Sequence, residues 1–301
     1  MLFDRITIVG VGLIGGSVGL AAKARNVARC VVGTGRDPRN LAKAKLLGAI
    51  DRGTTDLADA VREADLIVVC TPVDRIAETI LRAAPHCKSG AIFTDGGSTK
   101  VGIIAAVNGR LPEGVAFVPA HPIAGSEKNG VENARADLFE NRLTILTPAG
   151  LGGTGILACE SNRAQAGMPV PPKVGDAVEC VSAFWQALGS RIATMSPEDH
   201  DRALASTSHL PHAVASAVAG VTPLEWLPFA AGGFRDVTRI AGGDPHLWTA
   251  IFQANRDAVL AALTQFTTRL DEFRRLLETG DGAGLGQWLA EAKQVRDALG
   301  T

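Results

Sequence analysis

A parallel, doubly wound α/β sheet followed by an all-α region is the fold this sequence predicts, and three observations predict it. Near the start, an apolar run over residues 5–9 (RITIV) leads into "GVGLIGGS" and then an Ala-rich helical segment. Continuous apolar runs then alternate with amphipathic stretches as far as "LTILTP". Strands that are apolar throughout are buried on both faces, as in a parallel sheet with helices packed on each side. After Met195 the pattern is almost wholly helical.

The first element carries the most specific signal. Gly10, Gly12 and Gly15 match G-x-G-x-x-G between a strand and a helix. In that context the backbone amides and the helix N-terminus can face a pyrophosphate, so Gly10, Gly12, Leu13, Ile14 and Gly15 are candidate cofactor contacts. The second strand, "CVVGTG", ends near Gly35, about twenty residues on, where an acid normally holds the adenosine ribose hydroxyls. Here the chain has Gly35, Arg36 and Asp37. Arg36 with no acid at the strand tip suits the 2′-phosphate of NADP, while Asp37 keeps NAD open; the expectation leans to NADP.

The later elements follow in order. "PRNLAKAKLLG" and "DLADAVREA" read as helices, "DLIVVCTP" as a strand, "VDRIAETILRAA" as a helix, "GAIFTD" as a strand and "KVGIIAAV" as a helix. "GVAFVPA" and "LTILTP" are expected to extend the same parallel sheet. Ligands of such sheets lie beyond the carboxyl ends of the strands. That rule puts Thr71, Pro72, Ser98 of "DGGSTK" and His121 on the edge that carries the glycine loop.

Residues 149–175 are rich in Gly and Pro without sustained periodicity and read as a loop or linker, with an insertion at about 150–173. "DAVECVSAFWQALG" and "RIATMS" are assigned to the rim of the first domain, giving a dinucleotide-binding domain over residues 1–195 and a helical domain over 196–301. Ser196 is the expected N-cap of the first helix there, with Pro197 at its first position. Pro211 cannot donate to the carbonyl of Thr207, so a kink is expected beside His209 and His212. A single long helix is expected from Asp244 and Pro245 to about Thr279, with apolar positions such as Leu247, Ile251, Val259, Leu263, Phe266, Leu270 and Phe273. Its length suits a helical subunit interface.

Composition narrows the partners. With a formal net charge of −1 the chain has no basic field for nucleic acid or an anionic membrane, which leaves a small molecule. The start lacks the sections of a signal peptide and no apolar run reaches a bilayer-spanning length, so a cytoplasmic protein is expected. The cysteines Cys30, Cys70, Cys87, Cys159 and Cys180 are scattered without CxxC pairing and read as reduced, mostly packed thiols. His209 and His212 share a helix face, but there is no HExxH and no ligand at a completing distance, so no metal site is expected. His200 beside Asp201, and His246 after Pro245, read as local capping and surface residues.

The remaining chemistry is hydride transfer with acid–base help. Oxidising an alcohol needs a base for the hydroxyl proton, and a strand-tip His121 with the hydroxyl of Ser98 nearby fits. Arg235 and Arg239, one helical turn apart in "GGFRDVTRIAGGDPHLW", can hold a carboxylate, with Arg235 read as an exposed ion-paired residue.

Together "IVGVGLIGGS", "DGGSTK", "HPIAGSEKNGVENA", "HDRALASTSHLPHAVA" and "GGFRDVTRIAGGDPHLW" resemble the prephenate/arogenate dehydrogenase family of tyrosine biosynthesis, in order along most of the chain. The resemblance implies a Rossmann-type domain, a helical dimerisation domain that makes a homodimer, and NAD(P)-dependent oxidative decarboxylation of prephenate or arogenate. It implies that His121 takes the proton of, or hydrogen-bonds, the ring C4 hydroxyl, with Ser98 orienting that pair. It makes Arg239 the clamp for a substrate carboxylate, His212 a pocket residue and Trp248 a wall that could come from the partner subunit, with His209 and Asp201 in support. Three departures stand out: Gly35 and Arg36 replace the acid of NAD-preferring members, the insertion exceeds the family's usual join, and no fused regulatory or chorismate mutase domain is expected after the helices. A β-hydroxyacid dehydrogenase of related fold and a non-catalytic dinucleotide-binding sensor are the alternatives; the first relies on a helical lysine that this pattern does not supply.

Overall fold

The chain opens with β1 (Phe3–Val9), α1 (Leu13–Ala24) and β2 (Ala28–Thr34), a right-sized βαβ unit whose strands pair in parallel from Phe3 with Ala28 to Val9 with Thr34. The computed structural model describes residues 1–126, 128–148 and 174–300. The Gly/Pro-rich stretch and the insertion expected at 150–173 lie outside the described residues.

The sheet continues through α2 (Pro38–Leu46), β3 (Arg52–Thr54), α3 (Leu57–Val61), β4 (Leu66–Val69), α4 (Ile76–Ala83), β5 (Ile92–Asp95), α5 (Val101–Val107) and β6 (Ala116–Phe117). Its six strands run parallel in the order β3-β2-β1-β4-β5-β6, so the winding reverses between β1 and β4 and leaves a crevice at their carboxyl ends. Every residue of β4 is buried, as expected of a strand covered on both faces. One core layer gathers Ile6, Val18, Phe139, Phe184 and Trp185, the other Ile67, Val69, Ile76, Phe93 and Ile103. Each such large side chain contributes roughly 1.5–3 kcal/mol by leaving water. The three-residue edge strand β3 was not anticipated; it is too short to show a periodicity.

One expected feature is corrected. The chain after β6 does not extend the parallel sheet. It forms β7 (Ala120–Pro122), which pairs antiparallel with β8 (Leu143–Leu146); α6 (Val174–Ala187) then leads to β9 (Arg191–Thr194), parallel to β8. The cause is in "FVPAHP": Pro119 and Pro122 have no N–H to donate, so β6 stops after Phe117 and the chain changes partners. The Pro119 carbonyl instead accepts from the Thr147 N–H at 3.0 Å.

The helical region begins with α7 (Pro197–Leu204), capped by Ser196, whose hydroxyl accepts from the Asp199 N–H. Residues Ala205–His209 form a π-helical turn before α8 (Leu210–Val221). The wider turn answers the missing donor at Pro211 and is the form that the expected kink takes. After α9 (Gly232–Thr238), Asp244 caps α10 (Pro245–Ala254) through the His246 and Leu247 amides. The single long helix expected from here is in fact broken at Asn255 (φ −115°, ψ 31°), and α11 (Arg256–Glu278) starts afresh. Asn255 leaves the helical path because its side chain is spent on Asp201 and His209, as described below.

The chain divides into two compact units, Met1–Asn255 and Arg256–Thr301. In the second, α11 and α12 (Gly282–Asp297) meet through Phe273 against Trp288 at 5.1 Å between ring centroids, with Arg269 over the Trp288 ring and paired with Glu291 at 2.6 Å. Leu260, Leu263, Leu270 and Leu277 stay exposed on α11.

Candidate active site

The glycine loop follows β1 at the crevice. Gly10 has φ +93°, and a Cβ there would meet the Cys70 carbonyl oxygen at 2.7 Å; a Cβ on Gly15 would meet the Gly10 carbonyl oxygen at 2.2 Å. These two glycines are required by packing alone. Gly12 differs, because a Cβ there would meet nothing within 4 Å. It precedes a helix with no side-chain cap and no acid in its first turn. At the end of β4 the Thr71 hydroxyl is buried without a hydrogen-bond partner, and Pro72 follows on the surface. A cavity of about 950 Å³ is lined by Leu13, by Ile123, Ala124, Gly125 and Ser126 beyond β7, and by Arg135 and Arg142.

His121 stands in β7, half-buried, between Ala120 and Pro122. The strand is held by a buried ion pair. Asp95, the last residue of β5, accepts from the Ala120 N–H at 3.1 Å and from Gly97 N–H at 2.9 Å; fully buried Lys100 pairs with Asp95 and donates to the Ala120 carbonyl at 2.8 Å. Burial pushes the Lys100 ammonium down from its ordinary range, against the pull of Asp95.

Nδ1 of His121 lies 2.9 Å from Nε2 of His200, and Nδ1 of His200 lies 2.8 Å from Oδ1 of Asp201. Asp201 in turn accepts the Lys100 N–H at 2.8 Å and the Val101 N–H at 2.9 Å. His200 as a surface or capping residue is therefore corrected: its ring is fully buried, and Asp201 is nearly so. The orienting bond to His121 comes from His200. Ser98 is half-buried in the β5–α5 loop, and its hydroxyl makes no side-chain hydrogen bond among the described residues. Burial first, then the neighbouring His200 and Lys100, hold the His121 imidazolium well below the usual histidine range.

His209 and His212 come from the π-turn and α8. The Asn255 amide donates to the Asp201 carbonyl at 2.7 Å and meets His209 Nδ1 at 3.1 Å, so His209 joins the same network; its Nε2 is buried without a partner, and burial lowers it to about 4. His212 stacks on Trp248 at 3.5 Å between centroids and 11° between planes, with its own Nδ1 unpartnered. Trp248 thus stacks against His212 of its own chain, 6.2 Å from the His209 ring. Arg239 is exposed where α9 gives way to the turn Arg239–Gly242, and that turn packs on α8, which carries His212. Arg235 is exposed in the last turn of α9, and His246 is exposed as expected.

Two family models match the chain, "Prephenate dehydrogenase, nucleotide-binding domain" over residues 18–164 and "Prephenate dehydrogenase, dimerization domain" over residues 196–291. The cyclohexadienyl dehydrogenase of Zymomonas mobilis is 36% identical over 311 residues, covering 100% of this chain and 97% of that protein. The chain belongs to the prephenate dehydrogenase family. The prephenate dehydrogenase of Bacillus subtilis is 33% identical, over 98% of this chain and 76% of its own length. Among solved structures, prephenate dehydrogenase from A. aeolicus in complex with hydroxyphenyl propionate and NAD+ aligns with a TM-score of 0.84 at 30% identity, over 98% of both chains. Synechocystis arogenate dehydrogenase aligns at 0.74 and 28% identity, over 98% of this chain and 99% of that one. A Salmonella typhimurium 3-hydroxyisobutyrate dehydrogenase, at 12% identity and a TM-score of 0.54, shares the fold alone.

As a member of the prephenate dehydrogenase family, the chain is an NAD(P)-dependent oxidoreductase of tyrosine biosynthesis. The residues present fit that cofactor: open space at Gly12, an uncapped helix start and the unpartnered Thr71 hydroxyl are what a dinucleotide would complete. Leu13 and Ile14 open α1 beside that space. Asp95, Lys100, His200 and Asn255 were missed by sequence reasoning. Only "DGGSTK" held a signal, since a lysine in a loop closing onto an apolar strand must find an anion if it is buried.

Proposed function

We propose that this family member oxidatively decarboxylates prephenate or arogenate, using NADP in preference to NAD, with His121 as general base. The observation that carries the reading is a half-buried histidine in β7 with one ring nitrogen, Nδ1, held by His200. When bound, the nicotinamide ring supplies a hydride acceptor. His121, kept neutral by its surroundings, accepts the proton of the ring C4 hydroxyl, and Ser98 offers its unengaged hydroxyl to the same oxygen. Loss of the ring carboxylate as carbon dioxide restores aromaticity and makes the step effectively irreversible. Arg239 clamps a substrate carboxylate bidentately, and His212, Trp248 and His209 form the adjoining wall.

The cofactor preference is supported by Asp37. Its carboxylate caps α2, accepting from the Arg39 N–H at 2.9 Å, and pairs with the Arg39 side chain at 3.3 Å. It is therefore engaged away from a ribose, while Gly35 leaves open space beside exposed Arg36. The exposed leucines of α11 support a homodimer built through the C-terminal helices, and the Ser196 cap supports a helical domain starting at residue 196.

The test is reduction of cofactor followed by absorbance, offering each substrate with each cofactor. Turnover with one substrate and a higher kcat/KM for NADP is expected. No turnover in any combination, with cofactor still bound, would overturn the catalytic reading; faster turnover with NAD would overturn the preference.

A further inference from the structure

His200 touches no reacting atom in the scheme above, yet it is fully buried between Asp201 and His121. The protons along this row follow by elimination. Both oxygens of Asp201 accept backbone N–H groups, Oδ1 from Lys100 and Oδ2 from Val101. An ionised carboxylate accepts and cannot donate, so the hydrogen in its contact with His200 belongs to His200 Nδ1. A neutral imidazole carries one N–H, which makes Nε2 of His200 an acceptor. The hydrogen in the 2.9 Å contact with His121 is then on His121 Nδ1. That leaves Nε2 of His121 with its lone pair free. The two rings meet at 61°, with centroids 5.1 Å apart.

We infer that His200, oriented by Asp201, is a positioning residue: it selects the His121 tautomer whose Nε2 can accept a proton. The inference rests on the reading of His121 as general base. Without an acceptor at Nδ1, the His121 ring is free to carry its hydrogen on Nε2 and would present a donor where the reaction needs an acceptor. Burial holds His200 below its ordinary range against the pull of Asp201, so Nε2 stays unprotonated near neutrality. The row is anchored at its far end. Asp201 is tied to the start of α5 by two amides and to Asn255 through its carbonyl, so the Ser98 loop and α7 share one frame.

Two measurements test this. In the wild-type protein labelled with 15N-histidine, proton–nitrogen correlation at a pH where the rings are neutral reads the tautomer directly, with the His121 signal identified by its loss in His121→Asn. Hydrogen on Nδ1 is expected; hydrogen on Nε2 would overturn the inference. Kinetically, His200→Leu removes the acceptor, whereas His200→Gln places an amide oxygen near the position of Nε2. The Leu variant should lose kcat roughly 100-fold with KM within about twofold, and the Gln variant should recover about tenfold of that loss. Wild-type kcat in a folded Leu variant would also overturn it. Should the Leu variant fail to fold, the wild-type spectrum still decides. Turnover surviving in His121→Asn would sink the general-base reading instead, and the spectrum would report the tautomer regardless.

Discussion

His121 and His200 are 79 positions apart in sequence, and their ring nitrogens are 2.9 Å apart in the fold. That contact joins the first strand of the small sheet to the first helix of the helical region. It leaves His121 with one ring nitrogen, Nδ1, held by the protein.

With His121 as the proposed general base, its replacement by Asn removes the proton acceptor while keeping a polar side chain of modest size. The turnover number should fall by about 10²–10⁴-fold, the range a positioned general base contributes. Cofactor affinity, measured by fluorescence titration, should remain at the wild-type value.

Acid should loosen the protein earlier than its carboxylates alone would predict. His121, His200 and His209 all have folded-state pKa values depressed mainly by burial, His209 to about 4. The unfolded chain therefore binds protons near pH 6.5 that the native state refuses until lower pH. Stability is fully present above the unfolded value and is lost as pH falls below it, by up to about 1.4 kcal/mol per pH unit for each such histidine. Urea midpoints measured from about pH 7 to about pH 5 should fall, and the slope should be shallower in His209→Leu.

The glycines of the loop should separate into two behaviours. Gly15→Ala forces a Cβ against the Gly10 carbonyl oxygen, where it would lie at 2.2 Å, and should cost about 1–3 kcal/mol in thermal or urea unfolding. Gly12→Ala meets no atom within 4 Å and should unfold like wild type, yet bind cofactor at least about tenfold more weakly. Equal effects on stability would contradict the packing described.

Cofactor preference should move with one residue. A side chain at Gly35 meets only the tip of Leu41, at 3.9 Å, so Gly35→Asp fits. The added carboxylate repels a 2′-phosphate and can accept from ribose hydroxyls, so the ratio of kcat/KM for NAD over NADP should rise by about tenfold or more.

Lys100→Met should be among the most damaging single changes in the first unit. It strands the buried Asp95 carboxylate and frees the Ala120 carbonyl behind His121. A loss of about 3–5 kcal/mol in chemical denaturation is expected, because a buried charge then stands alone.

Legibility in the sequence followed the range of the interaction. The glycine loop, the alternation of strands and helices, the Ser196 and Asp244 caps and the interruption at Pro211 are all effects of residues within a few positions of one another. They could be read directly. The departure of β7 from the main sheet was also written locally, in the two prolines around His121, but an apolar run conceals a missing donor. The break at Asn255 had no local sign at all. Asparagine is acceptable inside a helix, and what removes it is a pair of partners, Asp201 and His209, contributed by earlier helical segments.

By itself, then, the sequence determined the class of fold and the sheet edge that carries the glycine loop, and it singled out His121 as a candidate, because periodicity, glycine geometry and chain direction are local properties. The tertiary structure alone decided what surrounds that histidine. His200 looks like a polar helix-start residue until the fold buries it, and Lys100 looks like a loop cation until Asp95 and the Ala120 carbonyl close around it. Burial changes the cost of charge and the choice of tautomer, and burial is a property of the packed molecule that no short stretch of chain contains.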